Sequence, residues 1–268
     1  MIGIVYSDED TASYNIAHYI VETHGFKPGE WKGRKCFVSG DIAVLASEEK
    51  LINSEFLDSL GFSMIYFASR HRSAAGIASF TAHSTGNWTQ EAKLGGRPKS
   101  LSVAAPAEML NVIRMIFSSD EATVEKTYEA THHGPLLETP SVFVELGGSE
   151  EALANTAFAA RIGDTIHRAA SAESCDYSCV VIGIGGGHYP SKFSKLAVEN
   201  GYAFSHILPK YATTNTDGSS NLDMISAAIE RSSVKAEKAV IDWKGLPSPV
   251  RSEAIKILSG IGIEYEKV

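Results

Sequence analysis

Cysteine is scarce in this chain, with Cys36, Cys175 and Cys179 the only three among 268 residues. An odd number at uneven spacing makes no disulfide framework and fits a reducing, intracellular compartment. Cys175 and Cys179 would supply half a metal site, but no second pair completes it. Both read as small residues flanking a strand start. Long apolar runs are missing too, since none approaches the roughly 18 residues that span a bilayer. Met1–Tyr6 is a short strand-like run without the basic segment or cleavage site of a signal peptide. Together these absences predict a cytoplasmic protein with no membrane partner. Positive charge is not in excess. A net charge of −8 argues against a protein that coats DNA or RNA electrostatically, though not against a local patch gripping one end of an RNA. Arg70, Arg72, Arg97, Lys99, Lys192, Lys195 and Lys210 read as surface charges that form a phosphate patch only if they share a rim.

Several catalytic signatures are absent as well. There is no GxSxG elbow, and no cysteine lies in an electropositive, histidine-rich run, so a serine or cysteine nucleophile has no support. No HExxH helix fixes a zinc site by spacing. In Gly183-Ile184-Gly185-Gly186-Gly187-His188-Tyr189 the third glycine of a dinucleotide fingerprint is replaced by His188, and no Lys-Ser/Thr pair makes a P-loop. Water activated by a metal or by histidine is the simpler chemistry.

What is present is an ordinary globular composition, 44% hydrophobic and 21% charged, in strands alternating with helices. Strands are expected at 1–6, 36–38, 42–45, 63–68, 101–105, 123–129, 142–146, 179–184, 239–243 and 262–266. Helices are expected from Asp10 or Thr11 to about Gly25, at 107–117 behind Pro106, from Ser149 to about Ala170, and at 221–231 and 248–258. Residues 70–100 show little regular pattern. Such alternation predicts an α/β fold, a mixed and largely parallel sheet between helices in three layers. One catalytic domain over 1–268 is expected, with a C-terminal α/β subdomain from about 175 as an option.

Six of the nine histidines fall in short polar runs at the ends of expected strands, where sites of such folds gather. They are His71, His83, His132, His133, His188 and His206. In Thr131-His132-His133-Gly134-Pro135, adjacent residues of an extended segment face opposite ways, so one histidine should enter the site while the other supports it or faces away. Candidate metal ligands are His132, Glu145, His188 and His206. Candidate catalytic groups are His83, Glu129, His133 and Lys210, with either glutamate able to be base or ligand. Substrate contacts are expected from Arg70, His71, Asn87, Trp88 and Tyr189, and from the amides of Gly185, Gly186 and Gly187 toward an oxyanion or phosphate. Trp88 and Trp243 also suit core anchors. His18, His24 and His167 sit in or beside amphipathic helices and read as ordinary helix residues.

The segments Phe67–His71, Thr81–Trp88, Tyr128–Pro135, Glu145–Glu151, Gly183–Tyr189, His206–Tyr211 and Ile241–Gly245, in that order over nearly the whole chain, resemble the archaeal-and-plant type of D-aminoacyl-tRNA deacylase. The resemblance implies hydrolysis of the ester joining a D-amino acid to the terminal ribose of tRNA. It also implies zinc dependence and a core akin to the phosphorylase and peptidyl-tRNA hydrolase group. A monomer that meets only the acceptor end of tRNA is expected. A peptidyl-tRNA hydrolase or zinc amidase of the same fold group, or a non-catalytic tRNA-binding protein, is the alternative.

Overall fold

The computed structural model describes residues 1–72, 76–173 and 175–268. Strand β1 (Ile2–Tyr6) leads into α1 (Thr11–Thr23), whose start is set by Asp10 accepting a hydrogen bond from Ser13 N. Then come β2 (Lys27–Trp31), β3 (Arg34–Ser39) and β4 (Ile42–Ala46), the last two pairing antiparallel as a hairpin. Two 3-10 segments, Leu51–Asn53 and Glu55–Leu60, precede β5 (Met64–Arg72), β6 (Ser79–His83), β7 (Gly86–Asn87) and β8 (Ser100–Leu101). The middle of the chain holds α2 (Pro106–Phe117), β9 (Glu125–Tyr128), β10 (Ser141–Gly148), α3 (Glu150–Leu153) and α4 (Thr156–Ala170). It ends with β11 (Cys179–Ile184), α5 (Ser191–Asn200), β12 (Tyr202–Leu208), α6 (Ile225–Glu230), β13 (Lys238–Ile241), α7 (Ser248–Gly260) and β14 (Glu264–Lys267).

Three local expectations are corrected. The single helix from Ser149 to Ala170 is two helices, because Asn155 accepts from Ala157 N and Phe158 N and so starts a new one. The strand over 101–105 shrinks to its first residue, since Ser102 N, Val103 N and Ala104 N bond to three separate loops. Conversely, β6 forms inside the stretch read as irregular. It is ordered by pairing with β10 on one edge and β9 on the other, which no local pattern announces.

Eight strands form one mixed sheet in the order β2-β3-β4-β1-β5-β10-β6-β9, and four form an all-parallel sheet, β12-β11-β13-β14. One apolar core runs from Ile4 and Ile16 through Ile113 and Ile166 to Phe204 and Leu258, continuous across both sheets. The other face of the large sheet carries a smaller cluster, where Val5, Phe67 and Phe143 meet Leu57 and Leu60 of the 3-10 segments. That thinner cover leaves room for a site. Among the described residues no helix is long and apolar enough to cross a membrane.

Candidate active site

Alternation along the strands explains how distant residues converge. Glu145 on β10 is level with Ser69 on β5 and Thr81 on β6, Gly147 is level with His71, and Phe143 with His83. Side chains two apart share a face, so His71, Thr81, His83 and Glu145 all rise from the thinly covered side. Thr81 also pairs with Thr127 on β9, which puts Glu129, two residues on, over that same face. A Cβ at Gly147 would lie 2.1 Å from Ser79 Oγ and 3.3 Å from His71 Cβ, so a larger residue would have to push that hydroxyl aside.

The loop after β9 adds His132 and His133. The expectation that one of them faces away is overturned, because His133 adopts φ +44°, in the left-handed region. That turn brings both rings against His83, with centroids 4.2 and 4.8 Å away. Gly134 allows it: a Cβ there would sit 2.3 Å from Gly96 N and 2.4 Å from Ile52 O. His188 follows the glycine turn after β11, its Nε2 2.8 Å from Glu129 Oε2.

Hydrogen bonding fixes the tautomers. His83 Nδ1 lies 3.2 Å from Ser84 O, His132 Nδ1 2.8 Å from Ala130 O, and His133 Nδ1 2.5 Å from Gly134 O. A carbonyl only accepts, so each neutral ring carries its proton on Nδ1 and presents an Nε2 lone pair. Those three donor atoms lie within 4.8 Å of one another. A second set with the same spacing is His71, Glu129 and His188, and a third is His83, Glu129 and Glu145. Two buried atoms here lack a hydrogen-bond partner, His83 Nε2 and Glu129 Oε2. Yet Glu129 Oε2 is 3.1 Å from His71 Nδ1 and 3.7 Å from His132 Nε2, while His83 Nε2 is 3.7 Å from Glu145 Oε2. Donor atoms packed this closely on one another suit a shared cation. The donor set of imidazole nitrogens and carboxylates suits zinc.

The electrostatics agree. Burial opposes charge on Glu129, but contacts with His188 and His71 outweigh it and hold its carboxyl well below the usual range. Glu145 is likewise lowered, by His71 and His83, against its burial. Two ionised carboxylates in a buried pocket require compensation. Neighbouring imidazoles supply it by holding protons. His71 is pushed up to about 10, since Glu129 and Glu145 outweigh its burial, and His83 is raised by Glu145 in the same way. His133, buried and repelled by His83, falls to about 4, and His132 is lowered for the same reasons. Thr81 Oγ1 donates to Glu129 Oε1 at 2.5 Å, a partner the sequence reading missed.

A cavity of about 560 Å³ opens onto the cluster. His71, His132, His133 and Glu145 line its floor, Leu51, Ile52, Leu94 and Phe143 its apolar wall, and Asp10 and Arg70 its polar rim. Arg70 is paired with Asp10. Tyr189 stands beside His71, with ring centroids 5.6 Å apart.

Other expected residues lie elsewhere. His206 is fully buried and cannot be a ligand: Nε2 faces Arg231 O at 2.9 Å and Nδ1 faces Thr131 Oγ1 at 3.3 Å. Trp88 is a core anchor, buried and donating from Nε1 to Thr131 O, and Asn87 Nδ2 holds Gly95 O. Trp88 is closed to substrate, while Asn87 is half-buried with its amide nitrogen committed to Gly95 O and Arg97 O. The amide of Gly185 is bonded to Leu208 O and so is not available to an oxyanion. Gly186, Gly187 and Lys210 line a neighbouring cavity instead of the cluster. Three of the basic residues are held in ion pairs, Lys99 with Asp223, Lys192 with Asp242 and Lys195 with Glu199. The side chain of Arg72 lies outside the described residues. Trp243 is covered by Arg251 and Lys267. His18 stacks on Tyr14 and His24 on His167, apart from the site.

An α/β fold with a histidine–carboxylate cluster at its strand ends, opening to one cavity, defines an enzyme of hydrolytic type. The sequence profile of the D-aminoacyl-tRNA deacylases matches residues 59–266, and the chain belongs to that family. It is 36% identical to the D-aminoacyl-tRNA deacylase of Pyrococcus furiosus and 37% to that of Pyrococcus abyssi, in each case over 96% of both chains. A solved crystal structure, described as a conserved protein of unknown function, superposes with a TM-score of 0.89 at 29% identity, covering 100% of this chain and 95% of that one.

Proposed function

We propose that this enzyme hydrolyses the ester of D-aminoacyl-tRNA in the cytoplasm, with zinc as its cofactor and a monomer as the working unit. The continuous core supports one catalytic unit in which the four-stranded sheet is a subdomain. The observation that carries the reading is the convergence of three imidazoles and two ionised carboxylates, of which His132, His133 and Glu145 line one cavity.

His83, His132 and His133 would hold the metal, with Glu145 beside them. Three histidines leave a coordination position open, the arrangement of a catalytic rather than a structural site. Bound there, zinc supplies Lewis acidity toward the carbonyl and lowers the pKa of water toward about 7. The remaining work falls to His188 and Glu129. Glu129 Oε2, 2.8 Å from His188 Nε2, would orient that ring and leave Nδ1 to take a proton from the attacking water. Water oxygen bonds to the ester carbon, the bond to the ribose oxygen breaks, and Nδ1 returns the proton to that oxygen. Free D-amino acid and tRNA result.

Release of D-tyrosine from D-tyrosyl-tRNA, assayed with a tight chelator and zinc add-back, tests this. Activity should vanish with chelation and return with zinc, and L-tyrosyl-tRNA should be a poor substrate. Chelator-insensitive activity would remove zinc, and faster cleavage of N-blocked peptidyl-tRNA would overturn the substrate.

A further inference from the structure

A second cavity, of about 470 Å³, lies against the cluster on the side of the four-stranded sheet. Gly186, Gly187, Lys210, Tyr211, Asp242 and Gly245 line it, all from the loops after β11, β12 and β13. None of them belongs to the metal-binding sets. Its two sides are tied together, because Lys210 N donates to Gly186 O at 2.9 Å.

Four features of this cavity suit one class of ligand. Tyr211 is 60% exposed, the highest value among the large apolar and aromatic side chains of the described residues, yet its hydroxyl is 3.4 Å from His188 Nδ1. It is an open aromatic face anchored at the edge of the reaction site, and nucleobases stack on such faces. Asp242 is nearly buried, and its Oδ1 accepts from Lys192 Nζ at 2.6 Å and from Gly245 N at 3.2 Å. Oδ2 is left free to accept from a ribose hydroxyl or a base amine, and Gly245 keeps it uncovered, since a Cβ there would come within 2.2 Å of it. Lys210 is an exposed cation on the rim. Gly187 has nothing within 4 Å of an added Cβ, so its backbone borders open space. An aromatic platform, a carboxylate acceptor, a cation and bare backbone together match a nucleoside monophosphate.

We propose that this cavity is the subsite for the terminal nucleotide of the acceptor strand, with the base on Tyr211, the ribose or base amine at Asp242 Oδ2 and the phosphate near Lys210. The inference rests on the deacylase reading and adds a direction to it. The nucleotide enters from the small-sheet side and the acyl group occupies the 560 Å³ cavity beyond the cluster.

The test is binding of AMP and of adenosine to the full chain, followed by NMR, for wild type, Tyr211→Ala, Tyr211→Phe and Lys210→Ala. Tyr211→Ala should weaken AMP by about 10-fold or more, while Tyr211→Phe keeps most of the affinity. Lys210→Ala should weaken AMP but not adenosine. With D-tyrosyl-tRNA, Tyr211→Ala should raise KM more than it lowers kcat. Equal AMP binding by wild type and Tyr211→Ala, or shifts mapping to another surface, would overturn the subsite. If the AMP pattern appears but wild type leaves D-tyrosyl-tRNA charged, the deacylase reading fails and the nucleotide site stands.

Discussion

His83 on the eight-stranded sheet and His206 on the four-stranded sheet are both fully buried, and they have opposite fates. At His206 both ring nitrogens are used. Nε2 donates to Arg231 O, so Nδ1 accepts from Thr131 Oγ1, and burial holds the ring neutral with a pKa near 4. At His83 the tautomer is reversed: Nδ1 is tied to the following carbonyl and Nε2 is left without a partner, facing Glu145. The first neighbourhood is a closed network that fixes the loop carrying Thr131. The second leaves a ring nitrogen without a hydrogen-bond partner among two buried carboxylates. Burial alone does not separate a structural histidine from a functional one. An unpartnered nitrogen among charges does.

The strongest way to break this contrast is to disarm the open side. Glu145→Gln and His83→Ala should each lower kcat/KM for D-tyrosyl-tRNA by more than about 100-fold, beyond what loss of a supporting contact to a metal ligand costs. Bound zinc, measured by elemental analysis, should fall with activity. Full activity in His83→Ala would dissolve the distinction. Next in size is Thr81→Val, which removes the hydroxyl fixing Glu129 Oε1. A drop of roughly 10- to 100-fold in zinc affinity or kcat is expected.

On the closed side the effect should be stability rather than chemistry. His206→Ala strands Arg231 O and Thr131 Oγ1 and opens a void, at a cost of about 2–3 kcal/mol in denaturant unfolding. Zinc content per folded molecule should not change, and a zinc loss equal to that of His83→Ala would erase the comparison. The smallest effect expected is a thermal one. Saturating zinc should raise the melting temperature of wild type and His206→Ala by the same few degrees, and that of Glu145→Gln by less.

Much of the site could be read before folding. His71, His83, His132, His133, His188, Glu129 and Glu145 stood out because titratable residues at strand ends, beside glycines and hydroxyls, have no packing reason to recur. His206 stood out by the same signal, which carries no information on whether both ring nitrogens find partners. Trp88 and Asn87 were drawn toward substrate by the His83 motif, yet Thr131 O and Gly95 O claim them. Thr81 was within that motif and passed over, because its role exists only once β6 lies beside β9. Tyr211 closed a recognised motif but carried no assigned task until the loops after β11 and β12 came together.

The sequence by itself determined the α/β alternation, the residue types of the site and the family, since all depend on local pattern or ordered motifs. Only the tertiary structure decided which donors meet. Strand register chose the shared face, the left-handed turn at His133 brought both adjacent histidines inward, and long-range carbonyl and hydroxyl contacts closed His206. Chain order sets a side chain's chemistry, but a free lone pair depends on every neighbour that folding brings within hydrogen-bond reach.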